Sequence, residues 1–157
     1  MYALDLRSVE WVGAMDLEPQ PDGGLKPWRL PLAMLDFLDE RTRFQAGNPS
    51  GVRLRWAGCM RRIEMEVAPS GKQRWFDLTV DDQLAGRVEL ASRASSLVFD
   101  GLPPGDKVVE LWLNHMYDPV IVRALRADAA ARPAPPSGKK RILFHGSSIT
   151  HGRGAAG

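Results

Sequence analysis

Apolar residues recur at every second position over most of this chain, and that period is the mark of strands with one buried face. Val52, Leu54 and Trp56 alternate with Arg53 and Arg55, and Ile63, Met65 and Val67 alternate with Arg62, Glu64 and Glu66. Past Ser70-Gly71, Phe76, Leu78 and Val80 are set against Asp77 and Thr79, and Leu84 to Leu90 continues the pattern. Leu97-Val98-Phe99 runs into the turn cluster Gly101-Leu102-Pro103-Pro104-Gly105-Asp106. Val108 to Leu113 and Val120 to Leu125 supply two more strands, and Val9 to Leu17 is a further candidate. Short strands at this spacing predict an all-β fold, antiparallel sheets packed as a jelly-roll-like β-sandwich. Val52, Leu54, Trp56, Ile63, Met65, Val67, Leu111 and Leu113 are the expected core. Helical spacing occurs only from Leu32 to Leu38, after Pro31, and Asp39 to Ser50 reads as a long loop. Trp56 and Trp112 lie on apolar-rich strands and are expected in the core. Trp28 and Trp75 have no such assignment; tryptophans of carbohydrate-binding sandwiches can stack on sugar faces.

With 157 residues, 44% of them apolar and 25% charged, the chain has room for one full domain of ordinary globular composition. A net charge of +2, with only the basic pairs Arg61-Arg62 and Lys139-Lys140, argues against nucleic acid and anionic membranes as partners. No pattern fixes an oligomeric state. A single cysteine, Cys59, excludes an internal disulfide and a thiolate metal cluster, and is expected to be a half-buried structural thiol. The start Met1-Tyr2-Ala3-Leu4-Asp5 lacks a basic region and an apolar core, so it is not a secretory signal. No apolar run approaches the ~20 residues of a membrane span, and a cytoplasmic location is expected.

Composition shifts after Ala127. Asp128 to Gly138 is rich in Ala and Pro and reads as a semi-rigid linker. Lys139-Lys140-Arg141 then opens an apolar run, Ile142-Leu143-Phe144, which ends in His145-Gly146-Ser147-Ser148. This is the pattern of a buried strand of a parallel sheet meeting a tight turn. The carboxyl ends of such strands are where sites assemble in open α/β sheets. A serine on such a turn presents its hydroxyl to the crevice, and its backbone N–H can donate to a developing oxyanion. The pattern points to acyl transfer, with Ser148 as nucleophile.

The block Gly146-Ser147-Ser148-Ile149-Thr150 resembles the first block of the SGNH, or GDSL, serine hydrolases, which reads Gly-Asp-Ser-(Leu or Ile)-Thr. Gly146, Ser148, Ile149 and Thr150 match, and Ser147 stands in place of the Asp. Gly23 to Pro31 and Glu110 to Leu113 look like the N-terminal β-sandwich of a branch that includes a tetracycline-tailoring acyltransferase. That branch in turn resembles two-domain carbohydrate esterases. The resemblance implies ester hydrolysis or acyl transfer on a small-molecule or carbohydrate ester, through a Ser–His–Asp triad with no metal or cofactor. It divides the chain into a sandwich (residues 1–127), a linker (128–138) and the opening of an incomplete hydrolase domain (139–157). The family's later blocks, with its oxyanion glycine and asparagine and an Asp-x-x-His pair, have no counterpart here. Asp106, Asp118 and Asp128 are followed three places on by Val109, Ile121 and Ala131. His145 and His151 flank the turn, and neither matches the family's base; His115 is expected in a loop between strands.

A truncated esterase or acyltransferase, inactive in this form, is therefore the first reading. A carbohydrate-binding-like module with a vestigial hydrolase segment is the second. A nucleotide-binding turn is a third and weak reading, because Gly146 to Gly154 lacks the Gly-Lys-Ser/Thr of a phosphate loop and Gly152-Arg153-Gly154 sits too late for a dinucleotide fingerprint.

Overall fold

The fold was analysed in a computed structural model, which describes residues 1–115 and 118–136. In chain order the strands are β1 (Tyr2–Leu4), β2 (Glu10–Val12), β3 (Asp16–Pro19), β4 (Leu25–Trp28), β5 (Arg53–Gly58), β6 (Ile63–Val67), β7 (Arg74–Val80), β8 (Gln83–Leu90), β9 (Ser96–Phe99), β10 (Lys107–Trp112), β11 (Val122–Ala127) and β12 (Ala131–Arg132). A 3₁₀ turn (Leu32–Phe37) and one helix, α1 (Glu40–Ala46), fill the connection from β4 to β5.

The strands form two six-stranded sheets. In the first, the order is β3-β4-β11-β6-β9, with β1 also on β11; in the second it is β12-β5-β10-β7-β8, with β2 also on β5. The pairings are antiparallel throughout. The expected all-β sandwich is therefore the observed one, and among the described residues the helices are confined to a single connection. No helix among the described residues is long and apolar enough to cross a membrane.

Period-two patterning sets which face each strand buries. Leu54 and Trp56 of β5, Ile63, Met65 and Val67 of β6, Phe76 and Leu78 of β7, and Val109 and Leu111 of β10 point between the sheets and are at most 1% exposed. Val52 and Leu113 flank them and are also buried, so all eight residues of the expected core lie in it.

Four expectations are corrected. Trp112 is half-buried on the outward face, because Leu111 and Leu113 already point inward and alternation forbids the residue between them from doing the same. Leu84 is 65% exposed. The β7–β8 register slips between Leu78 and Thr79, so that Leu84 comes opposite Thr79, and this one-residue bulge turns Leu84 outward. Cys59 is exposed, since β5 ends at Gly58 and the inward position falls to the fully buried Met60. The stretch from Asp39 to Ser50 is not wholly loop. Asp39 caps α1, its carboxylate accepting from the Thr42 N–H at 3.0 Å and the Thr42 hydroxyl at 2.6 Å. Arg43 then ties α1 to the 3₁₀ turn by donating to the Leu35 carbonyl from Nε and Nη2, at 3.0 and 2.7 Å.

A fully buried Leu54 at the middle of the second sheet predicts that Leu54→Ala lowers unfolding free energy by roughly 2–5 kcal/mol, read by urea denaturation. A comparable truncation at exposed Leu84 should change it by less than about half a kcal/mol.

Candidate functional site

Gly146, Ser147, Ser148, Ile149 and Thr150, together with His145 and His151, lie outside the described residues. What the structure provides is the path by which the chain leaves the sandwich toward them, and the surfaces beside that path.

The exit begins at Asp128, immediately after β11. Its Oδ1 accepts from the backbone N–H groups of Arg61 and Arg62, at 2.8 and 3.1 Å, while its own N–H donates to the Arg62 carbonyl at 3.1 Å. Burial acts to raise the Asp128 pKa, but the Arg62 and Arg61 N–H donors outweigh it and hold the carboxyl below its ordinary value. Ala131 and Arg132 next pair with Gly58 and Ala57 on the edge of β5. The first part of the Ala/Pro segment is thus a strand of the second sheet. Pro133 has no N–H to continue the ladder, and the next stretch of that edge, Arg55 to Arg53, is already paired with β2. The chain therefore lifts off the edge, and the Pro135 carbonyl accepts from Arg55 Nη2 at 2.7 Å.

Arg55 lies on the outward face and holds three elements together. Nη1 donates to Glu10 Oε2 of β2 at 2.9 Å, Nε is 3.4 Å from Glu110 Oε1 of β10, and Nη2 meets the departing chain. Arg53, next along the same face, has Nε 3.0 Å from the same Glu110 oxygen, close enough for an ion pair but off the hydrogen-bond line. Its guanidinium stacks 4.5 Å from the centre of the Trp112 ring, and Trp112 Nε1 donates to Thr79 Oγ1 at 3.4 Å. Trp75 lies half-buried on the same face of β7, and its backbone N–H donates to Asn114 Oδ1 at 3.4 Å. Sequence reasoning treated Arg53 and Arg55 as the polar side of a strand and missed this network. The signals available were Glu10 and Glu110, the carboxylates that stand opposite Arg55 on the two strands flanking it.

A cleft of about 290 Å³ opens beside the exit, where β1 of the first sheet faces β12 of the second. Tyr2, Leu4, Asp5, Val9, Trp56 and Ala131 to Pro133 line it. Trp56 Nε1 is buried and has no acceptor among the described residues. Trp28, by contrast, packs against Leu35 and Ala46, and its Nε1 donates to Glu18 Oε2 at 2.9 Å with Lys26 Nζ 3.8 Å from its ring, so it is a structural residue. His115 lies in the connection from β10 to β11, as expected, and its carbonyl accepts from the Ser50 hydroxyl.

No family model and no curated protein matches the chain. Several solved structures do. A salicylyl-acyltransferase, SsfX3, from a tetracycline biosynthetic pathway superposes with a TM-score of 0.77 at 25% identity, covering 87% of this chain and 42% of that one. A GDSL-like lipase from Bacteroides ovatus gives 0.73 at 19% identity, covering 96% of this chain and 48% of that one. A family two carbohydrate esterase from Cellvibrio japonicus gives 0.59 at 18%, covering 96% and 40%. The chain thus spans less than half the length of each of these acyltransferase, lipase and esterase chains, and what it shares with them over that span is the fold.

The Asp128 clamp fixes where the exit starts, and its depressed pKa gives a definite pH dependence. A carboxyl whose folded pKa lies below its unfolded value contributes stability that is complete above the unfolded pKa and lost as pH falls through the folded one. Asp128→Asn should therefore melt below the unsubstituted protein at neutral pH, with the gap closing through the acid range; thermal unfolding followed across pH measures it.

Proposed function

We propose that this chain is the N-terminal portion of an SGNH-type serine esterase or acyltransferase that acts on an O-acyl ester, with Ser148 as nucleophile and its backbone N–H as one oxyanion donor. One conjunction carries the reading. A sandwich like that of an acyltransferase, at a TM-score of 0.77, is followed after a short Ala/Pro segment by Gly146-Ser147-Ser148-Ile149-Thr150.

The chemistry asks more of the protein than Ser148. A serine hydroxyl is a weak nucleophile at neutral pH until a positioned base takes its proton. The base needs an orienting carboxylate, and the tetrahedral oxyanion needs more than one donor. His145 and His151 sit too close to Ser148 along the chain to match the family's base. In this reading the base, its carboxylate and the further oxyanion donors belong to polypeptide beyond these 157 residues, and the hydrolase block here is a beginning.

General-base assistance is worth ~10²–10⁴ in rate, and one oxyanion donor ~10²–10³. Without the base and the further donors, this chain should hydrolyse p-nitrophenyl acetate at background, indistinguishably from its Ser148→Ala variant. The protein carried on through the full reading frame should be active and lose that activity on Ser148→Ala. Serine-dependent turnover by the 157-residue chain would show that its base lies within it. An extended protein indifferent to Ser148→Ala would overturn the assignment.

A further inference from the structure

We infer that the outer edge of β8 is a self-pairing surface, and that its occupant is β8 of a second copy of this chain, antiparallel and in a register centred on Val88. The inference does not depend on Ser148 being a nucleophile.

A sheet edge offers unpaired N–H and C=O groups to any strand that reaches it, and folds blunt such edges by shortness, proline, lysine or a bulge. The other strands at the sheet margins, β1, β2, β3, β9 and β12, have two to four residues. β8 is the exception. It ends the second sheet among the described residues, runs for eight residues and holds neither proline nor lysine. Gln83, Leu84, Ala85, Arg87 and Glu89 on it are exposed, Leu84 to 65%. The register slip lies toward its start, so Gly86 to Leu90 pair without interruption with Leu78 to Arg74. Val88 is the midpoint of that regular stretch.

Charge selects both the occupant and the register. Strands related by a two-fold axis perpendicular to a continuous sheet keep their faces, so one residue must stand opposite its own copy. Centred on Arg87 or on Glu89, the pairing sets like charges against each other. Centred on Gly86, it faces Arg87 with Ala85 and Glu89 with Gln83. Centred on Val88, it faces Arg87 with Glu89 of the second copy, twice over, and opposite charges at facing positions are stabilising. Arg87 is arranged for this. Its Nε and Nη2 donate to Asp77 Oδ1 and Oδ2, at 2.6 and 3.0 Å, which leaves Nη1 over. Glu89 stands opposite Trp75 and forms no ion pair among the described residues. Each arginine then sits between two carboxylates, Asp77 of its own copy and Glu89 of the other. An isologous pairing uses up both edges and stops at the dimer, and a single strand pair makes a small, reversible interface.

Sedimentation velocity across a concentration series tests this. The 157-residue chain should pass from monomer to dimer. Arg87→Glu alone and Glu89→Arg alone should each weaken the dimer about tenfold or more, since each sets two like-charge pairs face to face. The thermal transition of the sandwich should be retained, above all in Glu89→Arg, which breaks no ion pair within the chain. Mixing the two variants should restore the dimer, because one copy then carries two arginines and the other two glutamates at the facing positions. A chain that stays monomeric at its highest soluble concentration would overturn the proposal. So would a dimer that neither reversal weakens, or one that the mixture fails to restore, since either would place the association on another surface.

Discussion

The edge of β5 that faces away from β10 takes two short strands end to end, β12 on Gly58 and Ala57 and β2 on Arg55 to Arg53. The path of the chain at both ends depends on that division. β2 brings in the N-terminal segment, which places Trp11 inward with its Nε1 donating to the Leu6 carbonyl at 2.8 Å. β12 brings in the C-terminal segment, and it stops where β2 begins, because one backbone edge cannot donate twice. The first sheet repeats the device. β1 and β4 share one side of β11, through Leu125 to Ala127 and through Val122 respectively. Pairing with both sheets covers edges that would otherwise present open backbone, and it ties the N-terminal segment and the exit after β11 to the core by hydrogen bonds a longer strand would have monopolised.

Much of this was legible in the sequence. Alternation named the strands and the inward residues because a one-residue slip would expose a whole face. It failed where the period itself is broken. The bulge opposite Leu78 reverses Leu84 and leaves no mark in composition. Strands of two or three residues, such as β1 and β12, are too short to display a period, so Tyr2–Leu4 went unread and Ala131–Arg132 passed for linker. Helix α1 has seven residues and a single buried one, Ala46, so no apolar stripe announces it; its sequence mark is the N-cap residue Asp39, which the reading of Asp39 to Ser50 as loop does not use. The tight turn between β7 and β8 is also unusual. Asp81 and Asp82 take the left-handed conformation without glycine, and Asp81 is compensated by donating its backbone N–H to the Val108 carbonyl and accepting from the Val108 N–H at Oδ1.

The candidate site was legible in a different sense. Ser148 and its neighbours were found from local spacing, since a nucleophile turn is written in consecutive residues. The Arg53–Arg55–Glu110–Trp112 group was not, because its members meet only through the β5–β10 register, where Arg55 lies opposite Glu110 and Arg53 opposite Trp112. Charges at alternate positions of one strand look the same whether they face water or one another. Only the pairing partner decides, and that partner is more than fifty residues away in sequence.

Arg55 shows what such a group does for the path of the chain. Replacing a nearly buried ion pair by apolar residues of similar size is often neutral or stabilising, so stability alone does not account for it. Geometry does. The guanidinium presents five donors in a rigid plane, and here that plane reaches Glu10 on one strand, Glu110 on another and the Pro135 carbonyl of the exit. A lysine ammonium at the same position could not span all three, and an apolar residue could not distinguish among the ways in which a proline-rich chain might leave an edge. The interaction acts on direction: it takes a segment that has lost its ladder partner at Pro133 and commits it to one face of one sheet. Whatever follows Pro136 starts from that face, beside Trp112 and Arg53, and its placement relative to the sandwich begins with that one side chain.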